Sequence, residues 1–390
     1  MSHSSTRPLV TKIPAAVLAC GLVLVCTWNF SWTSSDPILA KHIWIQMVVI
    51  AGIVSFYIYG VPETGRINFW IAMFLLVATV SYFFSSYKPP SIGLVLNKKV
   101  IFSPGTFAFY TMLLGVCWYA MIVAAFTSET VSWLMDAMCV VALVHILFLY
   151  MQYFGYDPIN AKEIKPLGIT PNINHASALL AFLAPAFFRK PWFWLLALFV
   201  PAFFIVSSSG GVLAIFCGLA VYLCVVIGFK WWILASCSVA VLIYGVLIDT
   251  TVIRPTEDTF WKDSIGTRIK IWILAWEKFK AHWLFGHGLG QWQTLAHEEY
   301  FIQKSTRTWH ARAHSEFIQG VVEMGVPFLV VVTGYFVDIA RRLKKHALIP
   351  LTALVIIVVN SLVNFPFHIP STGMIAVTWL AILQIQLKEI

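Results

Sequence analysis

Long apolar runs recur from one end of this chain to the other, near 8–28, 39–60, 67–86, 105–127, 131–153, 173–188, 191–208, 210–228, 231–249, 316–340, 349–365 and 371–387. A helix of roughly 20 apolar residues crosses the hydrocarbon core of a bilayer, so each run is about long enough to span. The expected fold is all-α: a polytopic membrane protein of about twelve transmembrane helices, forming a single integral membrane domain over residues 1–390. With 59% hydrophobic and 11% charged residues and a mean hydropathy of +0.82, the chain is not an ordinary soluble domain. No small-residue cleavage site stands out after the first apolar run, so the N-terminus reads as a retained helix.

The net charge of +9 does not point to nucleic acid, because the Lys and Arg residues sit in short clusters between apolar runs rather than along one face. Arg7, Lys12, Arg66, Arg189, Lys190, Lys230, Arg341, Arg342, Lys344, Lys345 and Lys388 recur at alternate connections, which assigns those sides and both termini to the cytoplasm. Lys88, Lys98, Lys99, Lys162 and Lys165 run against that pattern. All seven cysteines lie inside apolar runs, so neither a disulfide framework nor a Cys metal site is implied.

This topology opens the connections 154–172, 207–211, 250–315 and 366–370 on the outer side. The longest, 250–315, is expected to be a periplasmic loop containing interfacial helices and much of the active site. In GITPNINHA, Asn172 or Asn174 suits a helix cap, and the same amides with His175 are donors for a phosphate or sugar; both readings stay open. In SSSGG (Ser207 to Gly211) the choice lies between a tight turn and an anion site built from backbone N–H groups, with Ser209 and Gly210 at its centre.

Within the long loop, TRIKIWILAWEKFKAH carries Ile269, Trp272, Ile273, Trp276 and Phe279 at helical spacing between cationic flanks, as a helix at headgroup level would. Arg268 there is either a snorkelling residue or a phosphate ligand. Gly286, Gly288 and Gly290 in FGHGLGQW lack the strand before and the Lys-Ser/Thr after that a nucleotide loop requires. His310 and His314 share a helix face, but Ala311 stands where the catalytic zinc motif has Glu, so no metal site is assigned. Glu316, Gln319 and Glu323 form one stripe, and carboxylates in an apolar span are costly, so they are expected to face a protein cavity. Glu316 is equally a first-turn acid favoured by the helix dipole.

In order, GITPNINHA, SSSGG, Arg268 ahead of FGHGLGQW, HSEFIQGVVEMGV and NFPFHIP resemble the O-antigen ligase and polymerase superfamily over most of residues 165–390. The resemblance implies a glycosyltransferase of the bacterial inner membrane with its active site facing the periplasm. It would move a glycan from undecaprenyl pyrophosphate to lipid A-core, to a growing glycan or to a protein hydroxyl, without a cofactor. Two positions depart from the family: Ser209 replaces an Arg expected at the pyrophosphate, and Leu329 stands where ligases often have a small residue or Tyr.

Such a transfer needs a base for the attacking hydroxyl and cations for the leaving pyrophosphate. His314 suits the first role, with Glu316 orienting a neighbouring His or Arg. Arg268 suits the second, with Arg312 and Arg307 as competitors and fixed cations in place of a metal. A lipid-linked glycan flippase is the non-enzyme alternative, but few ionisable residues lie deep in the spans, chiefly His145, Asp136 and Asp338.

Overall fold

A computed structural model describes residues 12–27, 37–60, 67–83, 94–96, 99–102, 104–157, 166–170, 172–189, 191–206, 208–227, 259–296, 312–343 and 347–388. The described chain is helical except for one small hairpin. In chain order the longer helices are α1 (Ile13–Thr27), α2 (Pro37–Tyr59), α3 (Phe69–Phe83), α4 (Pro104–Ala125), α5 (Val131–Tyr153), α6 (Ile173–Leu183), α7 (Leu195–Ile205), α8 (Ser209–Ile227), α9 (Thr259–Ala281), α10 (Glu316–Arg342), α11 (Leu348–Val363) and α12 (Pro370–Lys388). The hairpin pairs β1 (Leu94–Leu96) antiparallel with β2 (Lys99–Phe102) and puts Val95 opposite Val100. The architecture is otherwise helical, as the all-α expectation has it, and the β-branched Val95, Val100 and Ile101 favour the hairpin locally.

Among the described residues, five helices are long and apolar enough to cross a membrane: Lys41–Tyr59, Gly105–Ala125, Val131–Tyr153, Glu316–Arg342 and Pro370–Leu387. Six further apolar helices are shorter, which leaves a count of twelve spans unsupported by length alone. Proline explains part of the shortening: α6 gives way to a 3₁₀ turn over Ala184–Phe188 containing Pro185, and α7 carries Pro201. The apolar segment expected at 231–249 lies outside the described residues.

α12 is the hub. In its span 78% of the residues are buried, against 28–56% in the other four, and it touches α1, α2, α4, α5, α6 and α11. Apolar bodies do not drive helix association inside lipid, so close contacts fall where side chains are small. Gly211 of α8 lies so near α6 that a Cβ there would overlap Ser177 Oγ. A buried lysine also ties elements together: Lys41 donates to the carbonyls of Cys26 (3.4 Å) and Ile169 (2.9 Å), joining α1, α2 and the turn before α6.

α10 departs most from its sequence reading, because a run that looked uninterrupted is broken at Gly325, whose φ of 67° and ψ of −155° lie outside the helical region. Pro327 follows and has no N–H to continue the ladder. The groups freed by the break bond to the glycine-rich segment instead: His287 N–H donates to Val322 O (2.9 Å), Gly288 N–H to Glu323 O (2.9 Å), and Val326 N–H to Trp283 O (3.0 Å). Gly286 lies against the Glu323 carbonyl at φ 71°, where a side chain would be both strained and obstructed. FGHGLGQW is therefore a wedge seated in a broken helix, with its irregular backbone covered by protein.

Candidate active site

The first turn of α10 builds the site. Ser315 caps the helix by accepting from Ile318 N–H (3.3 Å), and Glu316 N–H donates to Asn364 O (3.2 Å), which docks the turn on the α11–α12 connection. The Glu316 carboxylate accepts from Phe367 N–H at 2.7 Å and lies 3.1 Å from His368 Nδ1. One turn further, Gln319 accepts from Ala313 N–H through Oε1 (3.3 Å), which fixes which end of its amide is nitrogen. Its Nε2 donates to Glu323 Oε1 (3.0 Å) and reaches His368 Nε2 at 3.4 Å.

An amide NH₂ cannot accept, so in this network Gln319 donates to His368 Nε2, and Nδ1–H is the ring donor that faces Glu316. Glu323, 4% exposed, receives the N–H groups of Gly290 (2.9 Å) and Trp292 (3.2 Å) as well. Its carboxylate thus holds the glycine wedge from one side while its own carbonyl holds it from the other, joined there by Ser81 Oγ at 2.9 Å.

These groups border a cavity of about 690 Å³ enclosed by α2, α3, α4, α10, α11 and α12. Arg312, Glu316, Gln319, Glu323 and His368 form its polar end, and Ile45, Phe74, Trp118, Phe328, Ile357 and Met374 are typical of its apolar body. Arg312 is half-buried; burial works against its charge, while the Glu323 and Glu316 carboxylates favour it.

Two of the other residues singled out in the sequence, His175 and His314, meet at Phe365. Its ring meets the edges of His175 (5.1 Å) and His314 (5.3 Å), with His368 at 6.4 Å. His314 has φ 54°, the only described non-glycine residue at positive φ. Gly210 is buried against the Asn364 amide, and Ser209 opens α8. Asn172 caps α6 by accepting from Asn174 N–H (2.8 Å), so its amide oxygen serves the helix. Asn174 is half-buried one position into that helix.

Arg268, half-buried on α9, lies one turn before Trp272, whose indole N–H donates to Ala313 O (3.0 Å) beside Arg312 and His314. Arg307 and His310 lie outside the described residues. The apolar stripe of α9 divides. Trp272 and Phe279 pack with Ile271 and Ala275 on the protein, while Ile269, Ile273 and Trp276 are exposed.

His145 joins the site only indirectly. It accepts from Ile169 N–H through Nδ1 (3.1 Å), and its Nε2 lies 3.3 Å from Ala176 O, which makes it a packing residue between α5 and the entry to α6. Asp136 meets the Trp192 indole N–H (2.7 Å) and Arg189 (3.5 Å). The sequence reading missed His368 as a site residue. Its signal was a histidine within NFPFHIP, a short polar connection on the face where the other motifs converge.

Residues 193–333 match the family model described as O-Antigen ligase. No curated protein matches the chain. The matched stretch is about a third of the chain; it holds α8, α9, the glycine wedge, Glu316 and Glu323, and it ends before His368. The match supports the resemblance to the O-antigen ligase superfamily, whose members are glycosyltransferase-like enzymes, and the apolar helices make the chain a membrane protein.

Proposed function

We propose that this protein transfers a glycan from undecaprenyl pyrophosphate to an acceptor hydroxyl at the periplasmic face of the bacterial inner membrane, with lipid A-core as the leading acceptor. All twelve apolar segments are taken to cross the bilayer. The observation that carries the reading is the two-part cavity at α10: an apolar body continuous with an end that holds Arg312, Glu316, Gln319, Glu323 and His368. A polyisoprenoid pyrophosphate has the same division into an apolar tail and a charged head.

The acceptor oxygen attacks the anomeric carbon as His314 takes its proton, and the bond from that carbon to the pyrophosphate oxygen breaks with its electron pair leaving on the pyrophosphate. Arg268 and Arg312 supply positive charge to the leaving group, a guanidinium being able to hold two phosphate oxygens at once. Arg307 is a further cation of the same loop. Ser209, Gly210, Asn172, Asn174 and His175 lie on the surrounding elements and are proposed to border the donor pyrophosphate, and His314 suits the base as an imidazole that titrates near neutral pH. Fixed cations do the work a metal would do elsewhere.

The test is a reconstituted assay with a glycan-bearing polyprenyl pyrophosphate and candidate acceptors in proteoliposomes. Transfer to the acceptor supports the reading, and movement of the lipid-linked glycan across the bilayer without transfer replaces it with a flippase. Glycan analysis of a deletion strain then separates the acceptors. Lost O-antigen with accumulated lipid-linked polymer marks a ligase, single-repeat caps a polymerase, and unmodified protein a protein O-oligosaccharyltransferase.

A further inference from the structure

α9 is apolar on two opposite sides. Ile271 and Ala275 are buried in one cluster with Trp292, Ala313 and Val322, whereas Ile269, Ile273 and Trp276 face outward, Trp276 with 59% of its surface exposed. At 3.6 residues per turn those three positions and Lys280 fall within about 60° of one another. A helix whose outer face met water would carry polar side chains there, so this face is built to meet something apolar. The surface continues past the helix end. Trp283, Leu284 and Phe285 are exposed as well, and Phe285 borders a groove with the exposed Leu76 and Val80 of α3 and with Pro327 of α10.

We propose that α9 and the Trp283–Phe285 turn form a docking surface for the headgroup region of an anionic phospholipid membrane. Two observations select this occupant. The first is continuity: α10 is long and apolar enough to span a bilayer, and an apolar surface that runs on from its flank and from the exposed side of α3 meets the same bilayer. The second is charge. Residues 268–285 carry Arg268, Lys270, Lys278 and Lys280 against the single Glu277, and Lys270 and Lys280 are exposed beside the apolar face. Lysine stems lie along apolar surface with their ammonium groups at the phosphates, and tryptophan favours the same boundary.

The docking surface is tied to the candidate active site. Trp272, on the protein side of α9, donates its indole N–H to Ala313 O (3.0 Å), between Arg312 and His314. Trp283 O accepts from Val326 N–H (3.0 Å), so the exposed turn also holds the break in α10. A bilayer that fixes the outer face of α9 therefore fixes the chain on either side of Ala313. The docking stands apart from the glycan-transfer reading; its effect on turnover rests on that reading.

The deciding experiment places a fluorescent amino acid at Ile273 and reconstitutes the full chain in proteoliposomes of phosphatidylcholine, with or without phosphatidylglycerol, at a fixed content of a neutral lipid carrying a quencher near its headgroup. Quenching should rise with phosphatidylglycerol, and added salt should reverse the rise because it shortens the screening length. Replacing both exposed lysines, Lys270→Gln with Lys280→Gln, should raise the phosphatidylglycerol content needed for half the quenching by about 5-fold for each cation removed. Trp276→Glu should lower quenching in every membrane. Unlabelled wild type carries the test if the labelled protein does not fold. Its glycan transfer should be faster with phosphatidylglycerol, and the double lysine variant should keep the wild-type rate in phosphatidylcholine while losing that increase, a split that a merely structural role for the lysines would not give. Quenching indifferent to phosphatidylglycerol, a response that survives in the double lysine variant, or full quenching in Trp276→Glu would overturn the inference. A quenching response with no change in transfer rate would remove the link through Trp272. A wild-type protein that docks on phosphatidylglycerol and never transfers leaves the docking standing and removes the glycan-transfer reading instead.

Discussion

α10 carries a polar cluster at each end, and the two are built on opposite plans. Near its C-terminus Asp338 and Arg342 form an i,i+4 ion pair. Asn68 donates to Asp338 (2.9 Å) and to Gln384 Oε1 (3.3 Å), and Arg342 reaches the same Gln384 oxygen at 3.4 Å. One cation meets one anion, and none of the four side chains borders the cavity. This cluster ties α3, α10 and α12 together.

At the N-terminal end two carboxylates are satisfied mainly by backbone N–H groups, a side-chain amide and an imidazole rather than by Lys or Arg. That end faces a cavity. A carboxylate held by neutral donors remains available to steady a charge that appears only during a reaction, whereas one already paired with a cation does not. The comparison therefore separates polar groups that fasten helices from groups placed for chemistry.

The largest effect that can break the comparison comes from removing one cation on α9, ahead of the N-terminal cluster, and one from the C-terminal ion pair. Arg268→Ala should reduce glycan transfer by about 10²-fold or more, as removal of an electrostatic stabiliser does, with Arg268→Lys partly active because it keeps the charge and loses the planar fork. Arg342→Ala should leave transfer near wild type and cost about 0.5–1 kcal/mol of stability, since its ion pair is partly exposed. Transfer rates and thermal unfolding of the two proteins in the same detergent decide it. A loss of transfer in Arg342→Ala equal to that in Arg268→Ala would erase the distinction.

An intermediate effect is expected from neutralising one acid at each end. Glu323→Gln turns an NH₂ toward donors that the carboxylate oxygens now receive, so Gly290 or Trp292 loses its acceptor, at about 1–3 kcal/mol for an unsatisfied buried group. Hydrogen exchange should quicken at those two amides. Asp338→Asn keeps an oxygen for Asn68 and should leave exchange in 286–292 unchanged. Unaltered protection of Gly290 and Trp292 in Glu323→Gln would show that the wedge is held by the break in α10 alone.

How much of this was legible depends on the distance over which each feature is built. Helices set by local apolarity were readable, and α9 was readable because Ile269, Trp272, Ile273, Trp276 and Phe279 recur at helical spacing. The break in α10 was not, although Gly325 and Pro327 were in plain sight, because both residues are tolerated inside membrane helices and only the docking of Trp283–Gly288 decides between a bend and an opening. Glu323 was expected to face a protein cavity, and Gln319 of its own stripe does donate to it, but its other two donors lie 31 and 33 residues back and are backbone groups, which no side-chain pattern announces. The pairing of Glu316 with His368 spans 52 residues and depends on how the α11–α12 connection folds over α10. Residue types survived the passage from sequence to structure better than their pairings did.

The smallest expected effect concerns acid, and it belongs to the wedge end. His287 is 6% exposed, its Nε2–H donates to Lys278 O (2.9 Å), and its ring lies 4.3 Å from that of His282. Burial holds its pKa below the ordinary value of 6.5; the Lys278 carbonyl opposes that shift, and the charges of His282 and Lys278 add to it. In the folded protein the imidazole therefore stays neutral at a pH where the unfolded chain already binds the proton. Above about pH 6.5 both states are neutral and His287 adds no pH dependence. As pH falls from there toward the lower folded value, the unfolded state gains protons that the folded state lacks, and stability drops by at most about 1.4 kcal/mol per pH unit from this group. His287→Gln retains an N–H for the Lys278 carbonyl and has nothing to titrate, so its thermal midpoint should fall less between pH 7 and pH 5 than that of wild type. Hydrogen exchange at Gly286–Gly288 should show the same difference, because those amides sit in the break that His287 helps to fill. Parallel pH profiles for the two proteins would mean that His287 is protonated without disturbing the wedge.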